Sequence, residues 1–223
     1  MADADTPIGI FGGTFDPIHF GHLRLAEEMG EALGLDAVRF IPAGWPPHRG
    51  RPRTDAAHRL RMVELAIAGN PRFEVDTREM LAPRMSYTVD TLLSLRQDLG
   101  WHRPLCLLLG ADAFLGLPGW HRWRELFELT HIAIAHRPGY PQHSWKDAMP
   151  ELLREQIDTR SGPASELAGS AGGRIVTHSI TALDISATHI RDTLHSGRSP
   201  RYLLPDTVLD HIHTHQLYQA NHA

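Results

Sequence analysis

The sequence predicts a doubly wound α/β domain, with a mostly parallel sheet and helices on both faces. Three observations carry that prediction. Short apolar runs alternate with helical patterns along most of the chain. The apolar runs show little polar alternation, as strands covered on both faces do. The first run ends in a glycine pair just before a helix start, which puts a ligand loop at the carboxyl end of a strand.

The strands are expected at residues 8–11, 37–41, 73–75, 105–109, 132–135 and 174–177. Between them, residues 23–33 are rich in Ala, Leu and Glu and stop at Gly34. Residues 55–68 carry Leu60, Val63, Leu65 and Ile67 at helical spacing and stop at Gly69. Residues 86–99 form a third helix that stops at Gly100. The alternation is that of a Rossmann-like sheet. Residues 138–173 are loop-rich, with Gly162-Pro163 and Gly169-Ser170-Ala171-Gly172-Gly173, and read as a surface insertion in a single domain spanning 1–223.

The composition narrows the class. At 223 residues, 42% apolar and 22% charged, the chain suits one globular domain. A net charge of −4 argues against nucleic-acid binding. No apolar run approaches the roughly 20 residues of a membrane span. Met1 to Pro7 shows neither a basic nor an apolar leader segment, so no secretory signal is expected. The single cysteine, Cys106, excludes an internal disulfide, fits a reducing cytoplasm and sits in an apolar run as a core residue. Among the 16 histidines, His211-x-His213-x-His215 resembles a metal cluster. On a helix, i and i+2 face different ways, so the three are expected not to converge and to remain solvated. No resident metal site is expected.

The loop after the first strand is the strongest chemical signal. Gly12-Gly13-Thr14-Phe15-Asp16-Pro17-Ile18-His19-Phe20-Gly21-His22 joins a strand to a helix start. Glycine backbone approaches phosphate oxygens closely, and the helix start adds free N–H donors and a partial positive charge. His19 and His22 add side-chain donors that Gly21 leaves room for, at a site expected to be open to solvent. A second motif follows near the C-terminus, Asp184-Ile185-Ser186-Ala187-Thr188-His189-Ile190-Arg191. Ser186 is a natural N-cap, and Arg191 can reach back over the helix start. Alone it reads as a capped helix; beside the first motif it reads as a second anion clamp.

Together these motifs resemble the H-x-G-H nucleotidyltransferase superfamily. More narrowly, the chain resembles the bacterial nicotinate-nucleotide adenylyltransferase family along nearly its whole length. The family's landmarks are matched by Pro46-Pro47-His48-Arg49, Ser86-Tyr87-Thr88, Gly110-Ala111-Asp112, Trp120 and Arg137-Pro138-Gly139-Tyr140. The resemblance implies transfer of the adenylyl group of ATP to nicotinate mononucleotide, with pyrophosphate released. It implies that His19, His22 and Arg191 carry the catalysis. ATP would be held by Gly12, Gly13, Thr14, Phe15, Gly110, Asp112, Ile185, Ser186 and Thr188. The mononucleotide would be held by His48, Arg49, Tyr87, Thr88, Trp120, His121 and Arg137. Mg²⁺ would come bound to the ATP phosphates. The partners implied are the two small-molecule substrates, with no nucleic acid and no membrane; homo-oligomerisation is left open.

Two departures mark this chain: Ala43-Gly44-Trp45 stands where relatives carry amide side chains, and His121 stands where a relative has tyrosine. A nicotinamide-nucleotide or pantetheine-phosphate adenylyltransferase, or a cytidylyltransferase, would keep the same chemistry, although Tyr87, Trp120 and the P-P-H-R segment argue against the last two. A dehydrogenase would need G-x-G-x-x-G, which is absent after the first strand. A class I aminoacyl-tRNA synthetase fragment shares the H-x-G-H motif, but Lys146 is the chain's sole lysine and no K-M-S-K-like loop is found. A silent nucleotide-binding module is opposed by the intact His19, His22 and Arg191.

Overall fold

A computed structural model of the chain describes residues 6–44, 52–81, 85–136 and 149–219. Six strands form one sheet: β1 (Ile8–Gly13), β2 (Ala37–Pro42), β3 (Phe73–Val75), β4 (Leu105–Gly110), β5 (His131–His136) and β6 (Ile175–Ser179), in the order β3-β2-β1-β4-β5-β6. The pairs β1–β4, β4–β5 and β5–β6 are parallel. This is the doubly wound order, in which the strand sequence reverses between β1 and β4. Those two strands end at Gly13 and Gly110.

The helices are α1 (Phe20–Ala32), α2 (Ala56–Ile67), α3 (Thr88–Leu99), the short α4 (Ala111–Leu115) and α5 (Leu126–Leu129), α6 (Glu151–Arg160), α7 (Ala187–His195) and α8 (Asp206–Thr214). Expected and observed ends differ where function interrupts the apolar pattern. α1 starts at Phe20 rather than at residue 23, because its first turn carries Gly21 and His22 instead of core residues. α3 starts at Thr88 rather than at residue 86, because Tyr87 is extended.

The chain packs as two compact units. One comprises the described residues of Met1–Gly12, Leu25–Arg39 and Tyr87–Ala182; the other comprises those of Gly13–Arg24, Phe40–Ser86 and Leu183–Ala223. Each holds one almost fully buried arginine near 1% exposure. In the first unit, Arg96 donates to the carbonyls of Leu129 (2.6 Å), Ala171 (2.7 Å), Gly100 (3.2 Å) and Arg103. In the second, Arg59 donates to the carbonyls of Ala43 (2.7 Å), Thr14 (2.8 Å), Gly44 (3.2 Å) and Thr54 (3.3 Å). A buried guanidinium is costly unless its donors are met, so these two positions are fixed by the carbonyls they gather. Burial lowers the pKa of both.

In the first unit, the residues joining β5 to β6 have more than a surface role. Parallel strands need a crossover, and the described part of this one, residues 149–174, buries Leu153 and Leu167 completely. Cys106, the second residue of β4, is fully buried, and burial pushes its thiol up to about 12. Among the described residues, no helix is long and apolar enough to cross a membrane.

Candidate active site

The second unit holds the phosphate-binding candidates from Gly13 onward, and Gly12 belongs to the first. After Gly13 the chain turns through Phe15, which has a left-handed φ of 48° and a buried side chain. Phe15 packs against Phe40 (ring centroids 5.9 Å) and edge-on against His22 (5.1 Å). Its ring is therefore core, and only its backbone can meet a ligand. Gly13 makes that turn possible: a Cβ there would stand 2.8 Å from the Phe15 ring. Gly12 is exposed, and a Cβ on it would meet nothing within 4 Å.

His19 and His22 come together at the start of α1. Their rings stack at 3.7 Å between centroids, 25° from parallel. The His19 backbone N–H donates to His22 Nδ1 at 3.3 Å, so neutral His22 carries its ring proton on Nε2. Gly21 leaves the room expected of it: a Cβ would stand 3.0 Å from His19 Nδ1. The expectation of a solvent-open pair is corrected for one of the two. His19 is only 5% exposed, whereas His22 is half-buried. The reason is packing: His22 covers the His19 ring on one side, and Gly21 lets backbone close over it.

The second motif reaches the same loop within this unit. Ser186 caps α7, accepting from the His189 N–H at 3.1 Å. Arg191 does reach back over the helix start. One Nη donates to Thr188 Oγ1 at 3.1 Å, and the other donates to the carbonyl of Asp16 at 2.7 Å. Two segments 175 residues apart in sequence are thus joined by one guanidinium, which keeps further N–H donors for an anion. Ser186 and Thr188 are exposed, and Ile185 is buried beneath them.

Two groups here were not anticipated from sequence. Asp16, 6% exposed, is held by the Tyr218 hydroxyl, which donates to Oδ1 at 2.6 Å, and by the Arg53 N–H, which donates to Oδ2 at 2.8 Å. Burial, and then the Asp16 carboxylate, push the Tyr218 phenol well above its ordinary value, so it stays a donor. Arg59 places a buried positive charge under the loop through the Thr14 carbonyl. Tyr218 lay in a tail without pattern. Arg59 occupies a core position on α2, where the apolar period leads one to expect a hydrophobe.

The expectation for the C-terminal histidines is corrected in part. His211 and His215 do meet, at 4.4 Å between ring centroids, and His58 of α2 joins them. The i, i+2 argument holds for His213, but i and i+4 share a helix face.

The first unit holds the other candidates. Gly110 ends β4, and Asp112 is exposed in the first turn of α4. Tyr87 precedes α3, and Thr88 is its first residue, so the Thr88 N–H is a helix-start donor without an intrahelical partner. The Tyr87 ring lies 4.5 Å from that of His121. Trp120 is half-buried at the end of a 3₁₀ turn, and its N–H donates to the Leu117 carbonyl at 2.9 Å. The structure thus brings Tyr87 and His121 side by side. His48, Arg49 and Arg137 lie outside the described residues.

Comparison with known proteins identifies relatives of the whole chain. The pattern of the cytidylyltransferase-like family matches residues 10–193. A protein of Dechloromonas aromatica named "Probable nicotinate-nucleotide adenylyltransferase" is 55% identical over 214 residues, covering 96% of this chain and 98% of that one. One of the same name from Pseudomonas paraeruginosa is 47% identical over 215 residues, covering 96% and 98%. Among solved structures, the Plasmodium falciparum nicotinic acid mononucleotide adenylyltransferase complexed with NaAD superposes with a TM-score of 0.70 over 96% of this chain and 97% of that one. At 18% identity it attests the fold alone. Because the bacterial relatives match nearly end to end at about half identity, the chain belongs to the nicotinate-nucleotide adenylyltransferase family of cytidylyltransferase-like proteins.

Proposed function

We propose that this chain transfers the adenylyl group of ATP to nicotinate mononucleotide, giving nicotinate adenine dinucleotide and pyrophosphate. A phosphate oxygen of the mononucleotide forms a bond to the α-phosphorus, and the bond from that phosphorus to the pyrophosphate oxygen breaks. The nucleophile is already ionised near neutral pH, as phosphate monoesters are, so no general base is needed. The work left to the protein is alignment and the stabilisation of charge developing on phosphoryl oxygens.

The observation that carries this reading is Arg191, bonded to both the phosphate loop and Thr188. It supports a single anion site assembled from both motifs. In this reading Arg191, Ser186 and Thr188 hold the leaving pyrophosphate, and His22 Nε2–H and His19 face the α-phosphate. Asp112 takes the adenosine ribose. Asp16 is engaged by Tyr218 and Arg53. This favours Mg²⁺ arriving with ATP, as part of the substrate, over a resident carboxylate cage. The buried thiol of Cys106 suits a reducing cytoplasm.

In the first unit, the Thr88 and His121 N–H groups are assigned to the nicotinate carboxylate. A carboxylate only accepts, whereas the amide of nicotinamide presents an NH₂ to those same donors. Two mismatched donors at about 1–3 kcal/mol each imply a preference of roughly 10²-fold or more for the acid. The test is pyrophosphate release with ATP and Mg²⁺, using nicotinate mononucleotide, nicotinamide mononucleotide and phosphopantetheine as acceptors. Turnover led by the nicotinate nucleotide is expected. Equal kcat/KM for acid and amide refutes the donor pair, and turnover with phosphopantetheine alone refutes the assignment.

A further inference from the structure

We propose that His58, His211 and His215 form a binding site for one late first-row divalent cation of the Zn²⁺ class, fastening α8 to α2. The ligating atoms of the three residues lie within 4.8 Å of one another. His58 Nδ1 and His211 Nε2 are already 3.1 Å apart. Two imidazoles bound tetrahedrally at about 2.0–2.1 Å stand roughly 3.3 Å apart, so this pair is set for ligation, and His215 has to close by at most about 1.5 Å.

The backbone holds the geometry. The His215 N–H donates to the His211 carbonyl at 3.1 Å, which fixes the two rings one turn apart on the same helix face. α2 meets α8 beside them, where Thr207 Oγ1 donates to the Leu65 carbonyl at 3.3 Å. His58 and His211 are half-buried and His215 is exposed, which leaves an entry path and a fourth position for water.

The chemistry selects the ion. Neutral imidazole suits Zn²⁺, Co²⁺, Ni²⁺ and Cu²⁺ and is a poor ligand for Mg²⁺ or Ca²⁺. Desolvation, followed by the neighbouring His215, His58 and Arg61, lowers the His211 pKa. Arg61, the adjacent cation, is paired with Glu64 at 3.0 Å.

The site also has a mechanical connection. Three residues after His215, past a left-handed Gln216, Tyr218 donates to Asp16 of the phosphate loop. An ion at the three histidines anchors the segment that delivers this hydrogen bond.

The test uses untagged, chelator-stripped full-length protein titrated with Zn²⁺ against a chromophoric competitor, and with Co²⁺ for the visible bands of a tetrahedral site. One saturable equivalent per chain is expected. His58→Gln and His211→Gln, on different helices, should each weaken it by more than the about 10–100-fold that loss of a supporting hydrogen bond costs. His213→Gln, exposed and outside the cluster, should leave it unchanged. Hydrogen exchange across residues 206–219 should slow with Zn²⁺ in the wild type and not in His58→Gln. Absence of saturable binding, or equal binding in the His58→Gln/His211→Gln double variant, overturns the site and leaves an ordinary histidine–histidine hydrogen bond. Binding without slowed exchange overturns the fastening.

Discussion

Gly21→Ala separates the placement of a catalytic histidine from the stability of the fold. Gly21 lies in the first turn of α1 and outside the left-handed region, so alanine fits its backbone. In a helix that exchange gains up to about 1 kcal/mol. The added Cβ would stand 3.0 Å from His19 Nδ1 and 3.1 Å from Cε1. Restoring an ordinary 3.4 Å contact moves the imidazole by roughly 0.4 Å, because a packed interior offers no slack. If a misplacement of about 1 Å costs about 10²-fold, this shift costs about sixfold in kcat. The assay is pyrophosphate release at saturating ATP and nicotinate mononucleotide, with thermal unfolding on the same sample. The expected result is a Tm at or above wild type and a kcat down about sixfold. Wild-type kcat refutes the claim that the His19 position matters at this precision. A Tm several degrees lower refutes the claim that the added methyl group acts on placement alone.

Arg191→Lys keeps the charge but cannot span Asp16 and Thr188, so kcat/KM for ATP should fall about 10–100-fold; steady-state kinetics at wild-type rates would show that a point charge suffices. Tyr218→Phe leaves the buried Asp16 carboxylate without its 2.6 Å donor and should cost about 1.5–3 kcal/mol in urea unfolding, with an unchanged midpoint counting against the bond. Stability should also decline in acid through His131. Its Nε2–H donates to the Ser170 carbonyl at 2.8 Å and its Nδ1 accepts from the Arg174 N–H at 3.1 Å. Only the Nδ1 contact requires the neutral ring, since Nε2–H donates in either form, and burial lowers the ring's pKa below 6.5. The unfolded chain takes up the proton first, so the contribution is complete above pH 6.5 and is lost as pH falls below it. Urea midpoints from pH 7.5 to 5 should therefore drop in the wild type and drop less in His131→Gln.

The local pattern of the sequence determined the strands, the main helices and the loop between β1 and α1. Short apolar runs without alternation, bounded by turn residues, fit covered parallel strands, and glycine pairs with H-x-G-H spacing meet their requirements within a dozen residues. The capped helix after Ile185 and the reach of Arg191 toward its start were legible for the same reason: both are contacts of one helical turn. What the tertiary structure alone decided is everything joined across the chain. Arg59 under the Thr14 carbonyl, Tyr218 on Asp16 from 202 residues away, and His58 beside His211 from 153 residues away leave no periodic trace, because each partner obeys only its own local rules. The burial of His19 was hidden for another reason: no pattern of neighbouring residues tells a histidine open to solvent from one closed over by its own loop. Sequence spacing encodes contacts made within a turn, whereas contacts between distant segments exist only once the sheet and its helices have brought those segments together.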